Sequence, residues 1–478
     1  MILFLTVLAA ATAHAQDTRE LSYDEALRDA LANNPSLVGA GYDVDAAEGA
    51  LMSARGVFDP AFSASTTQNQ FTSESVREFG EVLSEFESRA WGIGLNQLLP
   101  TGTTLGVDWT TTATRFKYEL RDTGYIVDQQ DPLFESRMVA TLSQNLLEGH
   151  RLASNLEGVR AAARGQDIAL ANQRMVRQQT LADTASAYWN TRTQRKLAEI
   201  AAAAVETALE EQRIVHAKVD QGTLAPVERA RVDTAVIQAR RESLLAQDAA
   251  RNTEDSLLLL IGESSGAVLT LTSSPTEPTA LSIDAAAVEQ AALDGNAELK
   301  VKRIQEHSAE MARLDARHKL LPELNVNASY GMIGYEPSAS RATDELMSGD
   351  LPEWTLGAQF SMPLLGRADR GQALQRAAEA SKVRAEKLQL ERQIRTQVRA
   401  QIRTIEAAAM QVSLTAANLD LATQTLTAER ALVEAGRVIQ KDLLESIAAV
   451  DDARIQVEQS KGDYQMALIE LDRLKGTL

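Results

Sequence analysis

The sequence predicts an internally duplicated chain in which long coiled-coil helices alternate with a few membrane-spanning β-strands. Three observations predict it: spacings that recur between the two halves, a heptad seam sustained on both sides of glycine turns, and short segments that alternate apolar and polar residues. The 478 residues would suggest two or three ordinary domains by length alone, but the recurrence points to one protomer built twice.

The duplication is a matter of register. Leu37 to Pro60 is 23 residues, as is Leu299 to Pro322, and both intervals carry an Ala-Glu pair (Ala47-Glu48, Ala309-Glu310) and a late arginine (Arg55, Arg317). Gly222 to Gly262 is 40 residues, as is Gly436 to Gly476. Two units of this length do not make a solenoid, which needs several short repeats. The halves differ between Pro60 and Leu146, 86 residues, and between Pro322 and Leu364, 42 residues, so the first half carries 44 extra.

Each repeat divides the same way. The first, 16–270, is read as a helix over 22–55, strands within 57–146, a long helix over 156–221 and a return helix over 224–261. An irregular linker over 271–281 leads to the second repeat, 282–478, with a helix over 282–320, strands within 323–365, a long helix over 371–435 and a return helix over 438–475. The first helix opens with SYDE, in which Ser22 and Glu25 have capping-box spacing. Along the second long helix Ile394, Val398, Ile402, Ile405 and Val412 keep the 3–4 spacing of a coiled-coil seam, and Leu443, Val450, Val457, Tyr464 and Leu471 answer it at sevens on the return helix. These are antiparallel hairpins turning at Gly222 and Gly436. A long helix of about 65 residues spans roughly 100 Å and its return helix only about 57 Å, so the first helix of the next repeat is expected to complete the path.

In the strands, Trp354, Leu356, Ala358 and Phe360 face one way and Thr355, Gly357, Gln359 and Ser361 the other. Trp91, Ile93 and Leu95, then Leu105, Val107 and Trp109, repeat the pattern. A small polar face opposite an apolar, aromatic one suits a transmembrane barrel with a wet lumen, although a soluble sheet on a core alternates identically. Trp91, Trp109 and Trp354 are the expected interfacial aromatic girdle. Four to six strands cannot close a pore, since the smallest barrels use eight, so several copies must share one. The 44 extra residues include LLPTGTTLGVDW, which would add a hairpin and make six strands per protomer rather than four. The polar stretches 74–89 and 117–135 are expected to be extracellular loops.

Composition narrows the function. With 48 basic and 66 acidic residues, net charge −18, the chain is no nucleic-acid binder, because that needs clustered Lys and Arg. There is no cysteine, which excludes disulfides, thiolate metal sites and a lipidated cysteine. The opening MILFLTVLAAATAHAQ is read as a signal peptide over 1–15 ending at Ala13-His14-Ala15. No basic residue precedes Arg19, the pattern expected if the true start lies upstream. His150, His216, His307 and His318 form no ligand spacing, and no phosphate loop or nucleophile elbow appears, so no enzyme activity, metal or cofactor is expected. Tyr188-Trp189 read as interhelical packing.

Taken in order, LSYDEALRDALANNPSL, the arginines before Pro60 and Pro322, the paired junctions LSQNLLEG (142–149) and FSMPLLG (360–366), both glycine turns and the closing LDRLKGTL resemble the TolC-like outer-membrane efflux proteins over essentially the whole mature chain. The resemblance implies a homotrimer in the bacterial outer membrane with most of its mass in the periplasm. Each protomer would give four strands to a 12-stranded barrel, against 18 if the extra hairpin is real, and its helices to a periplasmic α-helical barrel. It also implies the function: a passive exit duct serving a periplasmic adaptor (membrane fusion) protein and an inner-membrane transporter, in tripartite efflux or type I secretion, with outer-membrane lipid around it. The adaptor would dock at the tip turns Gly222, Thr223 and Leu224 with Gly436, Arg437 and Val438. Two aspartates lining the tip of the family's best-known member correspond to Asp442 and Glu445, and a further acid to Glu228. Spacing of three puts Asp442 and Glu445 on one helix face, and threefold repetition would converge six acids into a cation-favouring constriction. The family's tip tyrosine and arginine fall on Val433 and Val438, which argues against the same tip lock. The competing reading is a soluble periplasmic coiled-coil scaffold or adaptor, although those usually carry their hairpin once.

Overall fold

A computed structural model describes residues 18–77, 80–120, 123–148, 150–263, 268–278, 284–434 and 440–478. The expected signal peptide and the turn residues Gly436, Arg437 and Val438 lie outside them. In chain order, β1 (Thr18–Leu21), α1 (Tyr23–Asn33) and α2 (Pro35–Arg55) lead through a 3-10 turn (Gly56–Phe58) to β2 (Ala61–Arg77), β3 (Gly80–Leu98), β4 (Thr103–Leu120), β5 (Tyr125–Asp128) and β6 (Leu133–Asn145). Next come α3 (Leu152–Asn155), α4 (Glu157–Asp220), α5 (Val227–Ile261) and β7 (Val268–Leu271). The chain ends with α6 (Ala285–Gly295), α7 (Ala297–His318), β8 (Glu323–Glu336), α8 (Ala339–Ser348), β9 (Pro352–Ser361), α9 (Arg367–Glu434) and α10 (Gln440–Lys475). Two compact units result: the described parts of Met1–Val44, Ala169–Arg303 and Glu386–Leu478 form one, and those of Asp45–Ile168 and Ile304–Ala385 the other.

The first unit is helical hairpins around two apolar cores. One core gathers Leu21, Ala26, Tyr188, Trp189, Leu257, Leu258 and Ile261; the other joins the seam residues Ile394, Val398, Ile402, Ile405 and Val412 to Tyr464 and Leu471. Full burial of each large apolar side chain contributes about 1.5–3 kcal/mol, so the seam is the main adhesive of the second hairpin. Its interior also holds one polar pair, Thr415 and Ser460, whose hydroxyls meet at 2.9 Å. Because a slip of register would separate two buried hydroxyls, the pair favours this alignment.

The capping box forms at Ser22 and Glu25. Contrary to the single helices expected over 22–55 and 282–320, each is broken in two, at Asn34 and at Asn296. Both asparagines are extended, and their side chains cap the next helix, Asn34 Oδ1 accepting from Ser36 N at 2.9 Å and Asn296 Oδ1 from Leu299 N at 2.8 Å. In the first case Pro35 enforces the break, since the residue before proline avoids the helical region. Each break abuts a return-helix end. A Cβ on Gly262 would come 2.6 Å from Asn33 Cβ, and one on Gly295 would come 2.1 Å from the carbonyl oxygen of Lys475.

A second unforeseen feature is a small parallel sheet, β1 on β7, from Thr18↔Val268 to Leu21↔Leu271. Fully buried Tyr188 pins it: its hydroxyl donates to the Leu21 carbonyl at 3.1 Å and accepts from Ser273 N at 3.1 Å. Glu254 accepts from Leu269 N at 3.0 Å and pairs with Arg195, which also donates to the Leu269 carbonyl. The stretch read as an irregular linker is therefore anchored at its start.

The second unit holds, besides helix ends, an antiparallel sheet of order β2-β3-β4-β6-β8-β9, with β5 added beside β4. Its main path has six strands, which corrects the preference for four. The two additional strands are β3 and β4, joined by a turn in which Gly102 (φ 77°) donates to the Leu99 carbonyl. The outer strands β2 and β9 are not paired with each other. The stretches 74–89 and 117–135 are not irregular loops either: β2 and β3 continue their pairing to Arg77↔Gly80, and β4 pairs with β5 from Lys117↔Asp128 to Leu120↔Tyr125. Within 323–365 the structure also inserts α8, whose Ala342 and Leu346 are fully buried against the sheet over Gly334. No helix among the described residues is long and apolar enough to cross a membrane.

Replacing Tyr188 by Phe keeps the packing and removes both hydrogen bonds, leaving the half-buried Ser273 amide without its hydroxyl partner while the Leu21 carbonyl keeps only its bond from Thr272 N. A loss of about 1–3 kcal/mol is expected, read as a lowered thermal unfolding midpoint in detergent.

Candidate functional site

The first hairpin tip is built by a helix ending. At the end of α4, Gly222 adopts φ 72°, Gly222 N donates to the Val219 carbonyl at 3.0 Å and Thr223 N to the Lys218 carbonyl at 2.9 Å. That pair of bonds is the Schellman pattern, and it needs a left-handed residue that glycine supplies without strain. The Thr223 hydroxyl adds a second bond to Lys218 O at 2.7 Å. Leu224 and Pro226 follow, and α5 begins at Val227. Gly262 and Gly476 end their helices with the same pattern, at φ 76° and 71°.

Charges crowd this turn. Asp220 is ion-paired with Arg229, and Glu228 accepts from Arg231 at 2.7 Å. The second oxygen of Glu228 and Nε of Arg229 are buried without a partner. One turn further in, Asp233 Oδ1 accepts from Gln212 Nε2 at 2.7 Å and lies 2.9 Å from His216 Nε2. The Gln212 hydrogen bond, followed by that of His216, holds the Asp233 carboxyl below its ordinary range.

At the second tip Asp442 stands in the first turn of α10, half-buried, and Glu445 is exposed one turn on. Glu445 is paired with Lys441 at 3.0 Å on its own helix, whereas no ion pair among the described residues involves Asp442. Of the three acids singled out in the sequence, two are thus answered by local bases that the sequence reading passed over. Arg231 stands three residues after Glu228, and Lys441 four before Glu445, spacings at which helical pairs meet.

The sheet has two chemically opposite faces, set by the register. Trp354, Tyr330, Ala140, Val107, Leu95 and Phe62 lie on one row across all six main strands, and Trp109 sits between Ile93 and Met138 on the next. Trp91, Trp109 and Trp354 therefore share the apolar face. Trp354 is 75 % exposed and Trp91 43 %, while Trp109 donates its indole N–H to Ser136 Oγ at 2.9 Å. The opposite face carries Ala61, Asn96, Gly106, Thr141, Ser329 and Thr355 across one row, with Ser63, Gly94 and Asp108 on the next. Arg137 and Glu353 are bonded at 2.6 Å on that polar face. Among the described residues no His, Cys, Asp or Glu group could hold a metal ion.

A model of the outer membrane efflux protein family matches residues 26–263 and 288–477. Similar solved structures include the CmeC outer membrane channel of Campylobacter jejuni, with 14 % identity over 95 % of this chain and 85 % of that one at TM-score 0.69. The outer membrane protein VceC of Vibrio cholerae has 14 % identity over 95 % and 96 % at TM-score 0.68. The MtrE outer membrane channel of Neisseria gonorrhoeae, in its open state, has 13 % identity over 95 % and 88 % at TM-score 0.64. No curated protein sequence matches the chain.

Two outcomes test the tip geometry. A Cβ at Gly222 meets nothing within 4 Å, so Gly222→Ala should lose only the left-handed conformational term, about 1–2 kcal/mol, without disturbing neighbours. For Asp233 the folded pKa lies below the unfolded one, so its stabilisation is present above the ordinary carboxylate range and is lost as pH falls through the folded value. Asp233→Asn should lower the unfolding midpoint at pH 7, and its gap from the wild type should close in acid.

Proposed function

The chain belongs to the outer membrane efflux protein family, and from that premise we propose that three copies form a passive exit duct handing cargo from a periplasmic adaptor and an inner-membrane transporter to the cell exterior. It is an outer-membrane channel protein, not an enzyme. The observation that carries the proposal is the two-faced, open-edged sheet joined to duplicated helical hairpins. Its apolar face meets lipid, with Trp91, Trp109 and Trp354 as the aromatic girdle, and its polar face lines water. In hydrocarbon the edges of β2 and β9 cannot be left unpaired, and three copies of six strands close an 18-stranded barrel.

The hairpins form the periplasmic part of the duct, repeat by repeat, with Gly222, Thr223 and Leu224 as one adaptor-contact turn and Gly436, Arg437 and Val438 as the other. The unpartnered Glu228 oxygen and Arg229 Nε support an additional neighbour at the first turn, because such groups are rarely left orphaned once buried. Asp442, Glu445 and Glu228 form the acidic tip constriction. Since Lys441 and Arg231 already compensate two of them, Asp442 is the dominant source of cation selectivity. The soluble scaffold weighed from the sequence gives way to the family assignment. Service to efflux and to type I secretion are both compatible with such a duct.

Single-channel conductance and reversal potential in a planar bilayer under a salt gradient test this. A cation-selective current is expected, with selectivity reduced more by Asp442→Asn than by Glu445→Gln, and raised by Lys441→Gln. Equal, negligible effects of all three would remove the constriction from the tip. No current, with the protein recovered from the soluble periplasm, would overturn the duct.

A further inference from the structure

Beyond the Trp91 row the two faces of the sheet exchange character. On the face that is apolar below, β3 and β4 now carry Arg89, Glu87 and Glu85 opposite Ala113, Arg115 and Lys117, with Arg89 bonded to Glu87 at 3.1 Å and Lys117 lying 3.9 Å from Glu85. On the face that is polar below, Phe71, Phe86 and Phe116 fall in one row, followed by Tyr118 opposite Val127, with Tyr125 beyond. The register runs without a bulge from Ala61↔Asn96 to Arg77↔Gly80 and from Leu98↔Thr104 to Val82↔Leu120, so each face is continuous with the one below it. The rings are grouped, Phe71 on Phe86 at 4.9 Å and Phe116 on Tyr118 at 5.3 Å. Phe86 and Phe116 are half-buried, but Phe71 is 53 % and Tyr125 60 % exposed.

We propose that this aromatic face is an interface between copies of the chain: beyond the outer leaflet the three extensions lean over the pore axis, and their rings pack on one another to close the duct from outside. The inference rests on the shared-barrel reading above. A contiguous apolar patch beside water marks an interaction surface, and lipid is not its occupant, because the lipid-contacting face of the same strands is the other one. The charged outer face is what an extension standing in water should show. Distance allows the contact. Eighteen strands about 4.8 Å apart and tilted about 40° enclose a backbone radius of roughly 18 Å. Leu120, the partner of Tyr125, lies nine residues beyond Thr111, the partner of Trp91, which at about 3.3 Å per residue is a reach of roughly 30 Å, so a lean of about 37° brings that end to the axis. The partner that fits is therefore the same aromatic face of the neighbouring copies.

The absence of cysteine makes the test direct. Single cysteines are placed at Phe71, Phe116 and Tyr125 on the aromatic face, and at Glu87 and Lys117 on the charged face, in the full-length protein in outer-membrane vesicles. A short bismaleimide should join copies through the first three and not the last two, and a soluble maleimide should modify Phe116→Cys at least tenfold more slowly than Lys117→Cys. Phe71→Ser/Phe86→Ser/Phe116→Ser should raise single-channel conductance several-fold; if that variant fails to assemble, the cysteine results decide. A trimer that conducts but shows equal labelling on both faces, or no cross-link at Phe71, Phe116 or Tyr125, overturns this inference and leaves the duct standing. A protein that neither trimerises nor conducts overturns both.

Discussion

Every larger feature of this molecule follows from the unpaired edges of β2 and β9. A β-strand edge exposes a row of amide and carbonyl groups, and in hydrocarbon each unmatched group costs several kcal/mol. Six strands on one path cannot bend round to meet themselves. A sheet that is apolar on one face, polar on the other and open at both sides is therefore a fraction of a structure. In the proposed duct, completion by identical copies satisfies the edges and encloses the polar face in one step, which ties the stability of that barrel to assembly.

The duplication explains which strands are needed and which are additions. Four of the six main strands join helical segments directly: β2 follows α2, β6 leads to α3 and α4, β8 follows α7, and β9 leads to α9. The pair β3 and β4 has no such tie, since its near end is the tight Leu99 to Thr103 turn. The 44 extra residues are thus a hairpin slipped into the sheet between β2 and β6, widening the wall without adding a helix. Two strands at about 4.8 Å spacing enlarge the circumference by roughly 12 Å per copy at the usual tilt. The two added strands bring no further helical connection with them.

What the sequence disclosed and what it hid follow from the range of the signal. The seam from Ile394 to Val412 was legible because a helical period repeated over many turns is local and redundant, and its residues are the ones buried. Gly222 was legible because a Schellman ending demands a left-handed residue. The break at Asn34 had a local sign in Pro35, set against the capping box that opens one helix at Ser22; Asn296 has no proline and was hidden entirely. The pairing of β1 with β7 joins two four-residue segments some 250 positions apart, beyond any local pattern. At the tip, the acids were visible individually, while Lys441 and Arg231 change their meaning only once the helices are set. The count of six strands rested on a hairpin signal, Pro100-Thr101-Gly102, that was weaker than the family resemblance set against it.

The stretches 74–89 and 117–135 were misread for a different reason, and it bears on how one strand can serve two environments. Their average composition is charged, so they resemble loops, yet along β3 and β4 Glu85, Glu87, Lys117 and Glu119 share one face while Phe86 and Tyr118 share the other. A strand has only two faces at a period of two. Along β3, the change from Trp91, Ile93 and Leu95 on one face to Phe86 and Val82 on the other needs no bulge, turn or break. It needs only that the identity of the apolar face switch between Ala90 and Ser88 while the hydrogen-bond ladder continues. Averaging over both faces erases that switch, whereas the register reveals it. In the proposed barrel, the bilayer wall and the extension beyond it are one continuous ladder, and the solvent on each side of each face dictates which residues it carries.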